Sequence, residues 1–185
     1  MRLSLAPYEP AFLDVFLAWR AEERAQRHNP FQQLTREQAR ERLATTPTDF
    51  ALVDDGDVAE FRWFVLEEGR PVGNVSLKNV NRMMRTAEIG YGIAASEQGR
   101  GLGKAAVRLL VDRVFSETAL RRLFALVHDE NEPSLRLLAA LGFQYEGVLR
   151  EHFLISGRPA NEVVFGLLRR EWEEFRAEPG QLQQG

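Results

Sequence analysis

One stretch constrains the fold more than any other. Gln98-Gly99-Arg100-Gly101-Leu102-Gly103-Lys104 holds three glycines in five positions and runs straight into an amphipathic helix. Glycines so close together let the backbone come near a ligand with several N–H groups turned one way. Behind them Ala106, Leu109, Leu110, Val114 and Phe115 recur at helical spacing. A helix N-terminus, with its partial positive charge, therefore opens on the turn. Arg100 and Lys104 add whole charges, and the result is a chemically sensible cradle for a pyrophosphate. A tight strand-to-helix turn would also use these glycines, but glycine density, charge and helix start coincide here, which favours a ligand. A Walker A loop does not fit, because it needs glycine at Gln98 and Ser or Thr at Ala105. Gly90-Tyr91-Gly92-Ile93-Ala94-Ala95 matches a dinucleotide fingerprint formally, but it lies inside a strand pattern with no helix opening on it.

The rest of the chain narrows the chemistry. Its 185 residues suit one ordinary domain. We expect a single domain over residues 1–175 and a C-terminal tail over 176–185. There is no cysteine, which removes disulfides, thiolate nucleophiles and cysteine metal sites. His28, His128 and His152 share no ligand spacing, so no metal is expected. A net charge of -3 argues against nucleic acid as a partner. No apolar run approaches the ~20 residues of a membrane span and no targeting segment is evident, so the expectation is a cytoplasmic protein with no membrane partner. Of the 24 basic residues only Lys78 and Lys104 are lysine. Base composition of the genome accounts for most of that, yet one of the two falls beside the glycine turn.

Periodicity supplies the elements. Leu3 and Leu5 alternate with polar neighbours as a short strand, and Phe12, Val15, Phe16 and Trp19 mark one helix over Ala11 to Arg27. Thr35 and Gln38 fit a capping box for a second helix. Phe50 to Val53 reads as an ambiguous strand. Glu60–Glu67, Val72–Val80 and Thr86–Ala94 read as an antiparallel meander. Leu123 to Val127 is a short apolar strand, Asn131 caps the next helix with Pro133 in its first turn, and Gly142 ends it. Phe143–Ile155 and Val163–Leu168 close the sheet. The pattern is α+β with a mixed sheet.

Ala87-Glu88-Ile89-Gly90-Tyr91 followed by the glycine turn resembles the central motif of the GCN5-related N-acetyltransferases, the GNAT superfamily, whose Q/R-x-x-G-x-G/A pattern is met by Gln98, Gly101 and Gly103. Asn131-Glu132-Pro133-Ser134, Leu141-Gly142-Phe143, Glu146-Gly147 and the ending Leu167 to Trp172 resemble its RimJ/RimL branch, the ribosomal-protein N-terminal acetyltransferases. The resemblance spans roughly Leu3 to Trp172. It implies a GNAT fold, a central mixed, mostly antiparallel twisted sheet of about seven strands flanked by about four helices. It also implies acetyl-CoA as cosubstrate and direct transfer to a primary amine, either a protein N-terminus or a small molecule. The protein itself would be a monomer or homodimer. Ile89, Tyr91, Ile93, Gln98, Gly99, Arg100, Gly101, Leu102, Gly103, Lys104, Asn131 and Ser134 would bind the cosubstrate. The central strand and the strand after Arg122 would splay apart to admit the pantetheine arm. A β-bulge near Gly90 to Gly92 would aim an N–H at the thioester oxygen.

By the same resemblance, catalysis would fall to Glu88, Tyr91 and Ser134. An ammonium has no lone pair, so a base must take its proton. Glu88 is the first choice, Tyr91 the second, and Glu130 and His128 follow. Many superfamily members protonate the departing thiolate with a tyrosine where Leu138 stands here. The RimJ/RimL branch carries serine three positions after the motif asparagine, which Ser134 matches. A glutamate proposed as base in the ribosomal-protein enzyme corresponds to Phe153, flanked by Glu151 and His152, and a frequent aspartate corresponds to Asn161. Trp19, Arg20, Asn29, Phe31, Trp63 and Arg82 could line the acceptor wall, though each also has a plain core or surface reading. These departures leave a second reading open, a non-catalytic acetyl-CoA-binding sensor.

Overall fold

The computed structural model describes residues 2–29 and 33–177. Phe31 and residues 178–185 of the expected tail lie outside them. Seven strands form one sheet in the order β1-β2-β3-β4-β5-β7-β6. They are β1 (Leu3–Ala6), β2 (Phe61–Glu67), β3 (Arg70–Asn81), β4 (Thr86–Ile93), β5 (Arg122–His128), β6 (Gln144–Ile155) and β7 (Arg158–Leu168). Every neighbouring pair is antiparallel except β4 and β5. That parallel pair is joined by a crossover through α5 (Leu102–Glu117), as parallel strands require. Two hairpins share one solution. Glu68-Gly69 (φ 49° and 83°) joins β2 to β3, and Ser156-Gly157 (φ 49° and 77°) joins β6 to β7. Positive φ at both central residues gives the turn whose twist matches that of paired strands.

Helices cover both faces. On one side Leu102, Ala106, Leu110 and Val114 of α5 pack against Trp63, Val65, Val75, Leu77 and Ile89 of the sheet. Leu138 of α6 (Glu132–Ala139) joins them. On the other side Phe12, Phe16 and Trp19 surround Phe64 of β2, with ring centroids 5.0 to 6.1 Å away. Burial of each such side chain contributes roughly 1.5–3 kcal/mol. Phe16 and Trp19 belong to α1 (Leu13–Ala21), and Ala39 and Leu43 of α3 (Arg36–Thr45) complete that layer. The α3 capping box is formed, with Gln38 N–H donating to the Thr35 hydroxyl and Thr35 N–H to the Gln38 side chain.

Four local expectations differ from the structure. Seven helices occur among the described residues, where about four were expected. The helix read over Ala11 to Arg27 breaks at Glu22 (ψ 127°), leaving α1 and a short α2 (Glu23–Arg27). Both Glu22 carboxylate oxygens accept from Ala95 N–H at 3.2 and 3.1 Å, so a contact with the end of β4 outweighs local helix propensity. Phe50 to Val53 is not a strand but the start of a helical turn, α4 (Ala51–Asp54). Asp49 accepts from Ala51 N–H there, and Phe50 stacks on Trp63 at 4.5 Å. Finally, α7 (Arg169–Ala177) runs two residues into the segment assigned to the tail. Trp172 holds α7 down, donating from Nε1 to Asp112 Oδ1 at 2.7 Å.

Candidate active site

β4 and β5 pair only over Thr86–Glu88 and Arg122–Phe124. β4 continues to Ile93 and β5 to His128, and β5 keeps its other edge on β7 throughout. The two strands therefore part after Glu88, as the resemblance implied. No bulge accompanies the parting. The β3–β4 register is continuous from Glu88 to Ile93, and the irregularity lies instead in β3, at Asn79 (φ 50°). The splay itself frees the β4 edge, so a bulge is not needed to expose it.

Two cavities meet at the opening. A groove of about 490 Å³ runs between the glycine turn, the end of β4 and α6. A pocket of about 270 Å³ lies under α1, between β3, β4 and β5. His28, Asn29, Tyr91, Gly92, Asn131 and Ser134 line both, so matter bound in one touches matter bound in the other.

The groove is shaped by the glycines. Gly99 and Gly101 both have φ +77°, and Gly101 is the N-cap of α5. A side chain there would cost about 1–2 kcal/mol of backbone strain. A Cβ on Gly103 would stand 3.1 Å from Leu137 and 3.7 Å from Ile93, so glycine keeps this wall open. Gln98 closes the turn by donating from Nε2 to the Ile93 carbonyl at 3.0 Å. Ile93, Gln98, Gly99, Gly101, Leu102, Gly103 and Lys104 line the groove. Arg100 does not; its guanidinium spans Glu67 at 2.8 and 3.0 Å and Glu97 at 2.5 Å. Ile89 is buried and lines the pocket rather than the groove.

The junction is built from β4 and α6. Asn131 caps α6 through its side chain, accepting from Ser134 N–H at 3.4 Å. That turns Ser134 toward β4. The Tyr91 phenol oxygen is buried without a hydrogen-bond partner among the described residues. Burial pushes this phenol up to about 12, while the nearby Ser134 hydroxyl pulls it the other way without reaching hydrogen-bond geometry. An unpaired buried hydroxyl costs about 1–3 kcal/mol, which a ligand at the junction would recover.

Glu88 lines the pocket and is buried. Its cross-strand partner is Lys78, whose ammonium is 3.1 Å from Oε1, and Asn79 donates to Oε2 at 2.8 Å. His128 also lines the pocket, whereas exposed Glu130 lines neither cavity. His128 Nδ1 stands 2.9 Å from Nδ1 of His28, with the Phe153 ring edge-on to it at 5.7 Å. His152 is 2.5 Å from Glu162, which reaches the pocket from β7. Asn161 donates to Asp129 and accepts from Glu151 N–H, so it ties β7 to the loop after β5 and to β6.

Of the acceptor-wall residues, Arg20 and Asn29 line the pocket. Trp19 is largely core and borders a small neighbouring cleft. Trp63 is core, its indole N–H bound to the Thr48 carbonyl, and Arg82 braces the carbonyls of Leu52 and Val58. Arg62, Asn74, Ser76, His28 and Glu162 enter the site without having been singled out from sequence. Of these, only Asn74 and Ser76 carry a sequence signal, the alternation of Val72–Val80 that sets them on one side with Lys78. No group of three His, Asp or Glu side chains able to hold a metal occurs among the described residues, and no helix among them is long and apolar enough to cross a membrane.

Comparison with known proteins agrees with this geometry. Residues 2–144 match the family described as an acetyltransferase (GNAT) domain. The uncharacterized N-acetyltransferase p20 of Bacillus licheniformis is 35% identical over 118 residues, 64% of this chain and 66% of that protein. The spermidine N(1)-acetyltransferase of Escherichia coli is 32% identical over 125 residues, 68% of this chain and 67% of that one. The matched stretch thus spans about two thirds of these relatives' own length. RimJ of Mycobacterium smegmatis, solved with CoA-disulfide, shares the fold, with a TM-score of 0.80 at 23% identity over 91% of this chain and 83% of that one.

Proposed function

The chain belongs to the GNAT acetyltransferase family, and from that premise we propose that it transfers an acetyl group from acetyl-CoA directly to a primary amine. The observation that carries this reading is the junction. A groove with a glycine-lined helix N-terminus and a separate polar pocket meet where β4 and β5 part, at Tyr91 and Ser134.

The residues present fit acetyl-CoA. Gly99, Gly101 and the first N–H groups of α5 suit a pyrophosphate, with Lys104 on the groove as a point charge. The freed edge of β4 from Ile89 to Ile93 suits the amide-bearing pantetheine arm, which adds to a strand edge as another strand would. Gly103 leaves the room a side chain would fill, and the orphan Tyr91 hydroxyl lacks the partner a thioester at the junction would provide. When bound, acetyl-CoA supplies an activated acyl group, so neither a cysteine nucleophile nor a metal is needed.

The chain's own residues then divide the work. Glu88, facing the pocket, takes the ammonium proton so that the amine has its lone pair, directly or through water. Tyr91 holds its proton across the neutral range, so it serves as a hydrogen-bond donor at the junction rather than as a base. Ser134 stands beside it to donate toward the departing sulfur. Arg100 acts through Glu67 and Glu97, fixing the turn to β2 rather than touching phosphate. The acceptor is a protein N-terminal amine or a small-molecule amine, met in the cytoplasm where acetyl-CoA is made and used.

Free-thiol release from acetyl-CoA over a panel of peptides and small amines tests this. Turnover with an amine supports it. A CoA-dependent rise in melting temperature without turnover of any amine would favour a non-catalytic sensor, and no rise at millimolar CoA would refute the cosubstrate itself.

A further inference from the structure

The pocket already holds a primary amine belonging to the chain. Lys78 of β3 lies opposite Glu88 of β4, its ammonium 3.1 Å from Glu88 Oε1. A general base must stand within about 2.6–3.2 Å of the atom whose proton it takes. Lys78 therefore meets, toward Glu88, the condition set for an acceptor amine. Both residues line the pocket together with Tyr91, Gly92 and Ser134, and the Lys78 side chain is part-exposed there while Glu88 is buried. Asn79 donates to the other carboxylate oxygen at 2.8 Å from a left-handed backbone (φ 50°), which leaves Oε1 to the lysine. Gly90 sets where the amine lies. A Cβ on Gly90 would stand 2.9 Å from Lys78 Cε and 3.5 Å from Nζ, so the lysine runs close against the β4 backbone. Gly90 falls beyond the last residue at which β4 pairs with β5, and one residue before Tyr91.

Resting on the acetyltransferase reading, we propose that Lys78 is a self-acetylation site: given acetyl-CoA and no external amine, the chain acetylates its own Lys78 Nζ. The bond from Nζ to the acyl carbon forms, and the bond from that carbon to sulfur breaks. Of the two protons the ammonium gives up, one passes to Glu88 and on to water, and the other ends on the departing thiolate. Nothing but acetyl-CoA is consumed. Lys104 provides an internal contrast, because it lines the groove and not the pocket that holds Glu88. Acetylation removes the charge of Lys78 and with it the ion pair to Glu88, so the modification alters the site that makes it.

The test is acetylation without an acceptor. The full chain is incubated with acetyl-CoA alone, digested, and its two lysines are followed by peptide mass spectrometry. Lys78 should gain an acetyl group ahead of Lys104, at a rate independent of protein concentration because the amine and the site are in one chain. Glu88→Gln, its fold checked by the CoA-dependent melting shift, should slow that acetylation about 10²–10⁴-fold. Lys78 left unmodified while an added amine is turned over overturns the inference and leaves acetyl transfer standing. So does Lys78 modified no faster than Lys104, or at the same rate in urea-unfolded protein or in Glu88→Gln. If neither Lys78 nor any added amine is acetylated, the acetyltransferase reading itself has failed, and self-acetylation falls with it.

Discussion

Tyr91→Phe should raise the stability of the unliganded protein while lowering its activity. The phenol oxygen is buried and has no partner among the described residues, a situation that costs about 1–3 kcal/mol. Phenylalanine keeps the ring and removes the oxygen, so the ligand-free variant should gain about 1 kcal/mol, or roughly 2–4 °C in melting temperature for a chain of this size. With acetyl-CoA bound the hydroxyl acquires a partner, and the advantage should shrink or reverse. kcat should fall about 10²–10³-fold, the loss expected when one preorganised hydrogen-bond donor is removed. Alkaline pH gives a second reading of the same group. The folded phenol titrates at about 12, against an ordinary value near 10. Between those values the unfolded chain has released the proton and the folded one still holds it, so stability falls as pH rises. At about 1.4 kcal/mol per unit the wild type should lose about 2–3 kcal/mol over that window that Tyr91→Phe does not lose. Urea denaturation of both proteins at pH 7, 10 and 12, paired with free-thiol release at pH 7, measures all of this. A variant less stable than wild type by more than about 1 kcal/mol without ligand, or a gap between the two proteins that stays constant from pH 10 to 12, would show that the phenol is not orphaned.

Gly103→Glu puts a carboxylate against the phosphate cradle and a side chain within about 3 Å of Leu137; the CoA-dependent melting shift should vanish, and a retained shift would place the cosubstrate elsewhere. Glu88→Gln keeps the hydrogen bond from Lys78 and removes the base, so kcat should drop about 10²–10⁴-fold with CoA affinity intact; a pH–rate profile unchanged from wild type would clear Glu88 of that role. Arg169→Leu tests the C-terminal end of α5, where the guanidinium donates to the carbonyls of Phe115, Thr118 and Leu120, with Thr118 at 2.7 Å. Losing a charged cap of this kind should cost about 2–3 kcal/mol, read as a lower urea midpoint with KM for acetyl-CoA unchanged.

The glycine turn and its helix were legible because their chemistry is local. Gly99 and Gly101 need their left-handed backbone whatever the rest of the chain does, and the Thr35 capping box is complete within four residues. What escaped sequence reading depends on contacts made across the sheet. Arg100 sits among the glycines like a phosphate ligand, yet Glu67 arrives from 33 residues away and takes it. The helix from Ala11 is periodic through Glu22, but a partner 73 residues on breaks it there. His28 carries no local signal at all, since its neighbour at the junction is His128, 100 residues away. The apolar pattern marks β7 only from Val163, whereas the two-residue turn at Ser156-Gly157 starts the strand five residues earlier and adds Arg158 to Glu162. Glu162 is among them and lines the pocket.

Gly90 and Gly92 look interchangeable in the sequence, two glycines in one strand, and the structure gives them different reasons. A Cβ on Gly90 would stand 2.6 Å from the Ser76 hydroxyl and 2.9 Å from Cε of Lys78. That glycine makes room for the protein's own side chains, including the lysine stem on its way to Glu88. A Cβ on Gly92 would meet only Asn74 Nδ2, at 4.0 Å, and otherwise open space. Gly92 lines both cavities, so its missing side chain makes room for what is not protein. One glycine thus serves the Lys78–Glu88 pair and the other keeps the junction open. The parting of β4 and β5 falls between the two requirements. Up to Glu88 the strand needs a neighbour on each edge and has it. From Ile89 onward β4 has no strand paired on its β5 side among the described residues, and of the two glycines there it is Gly92 that faces open space.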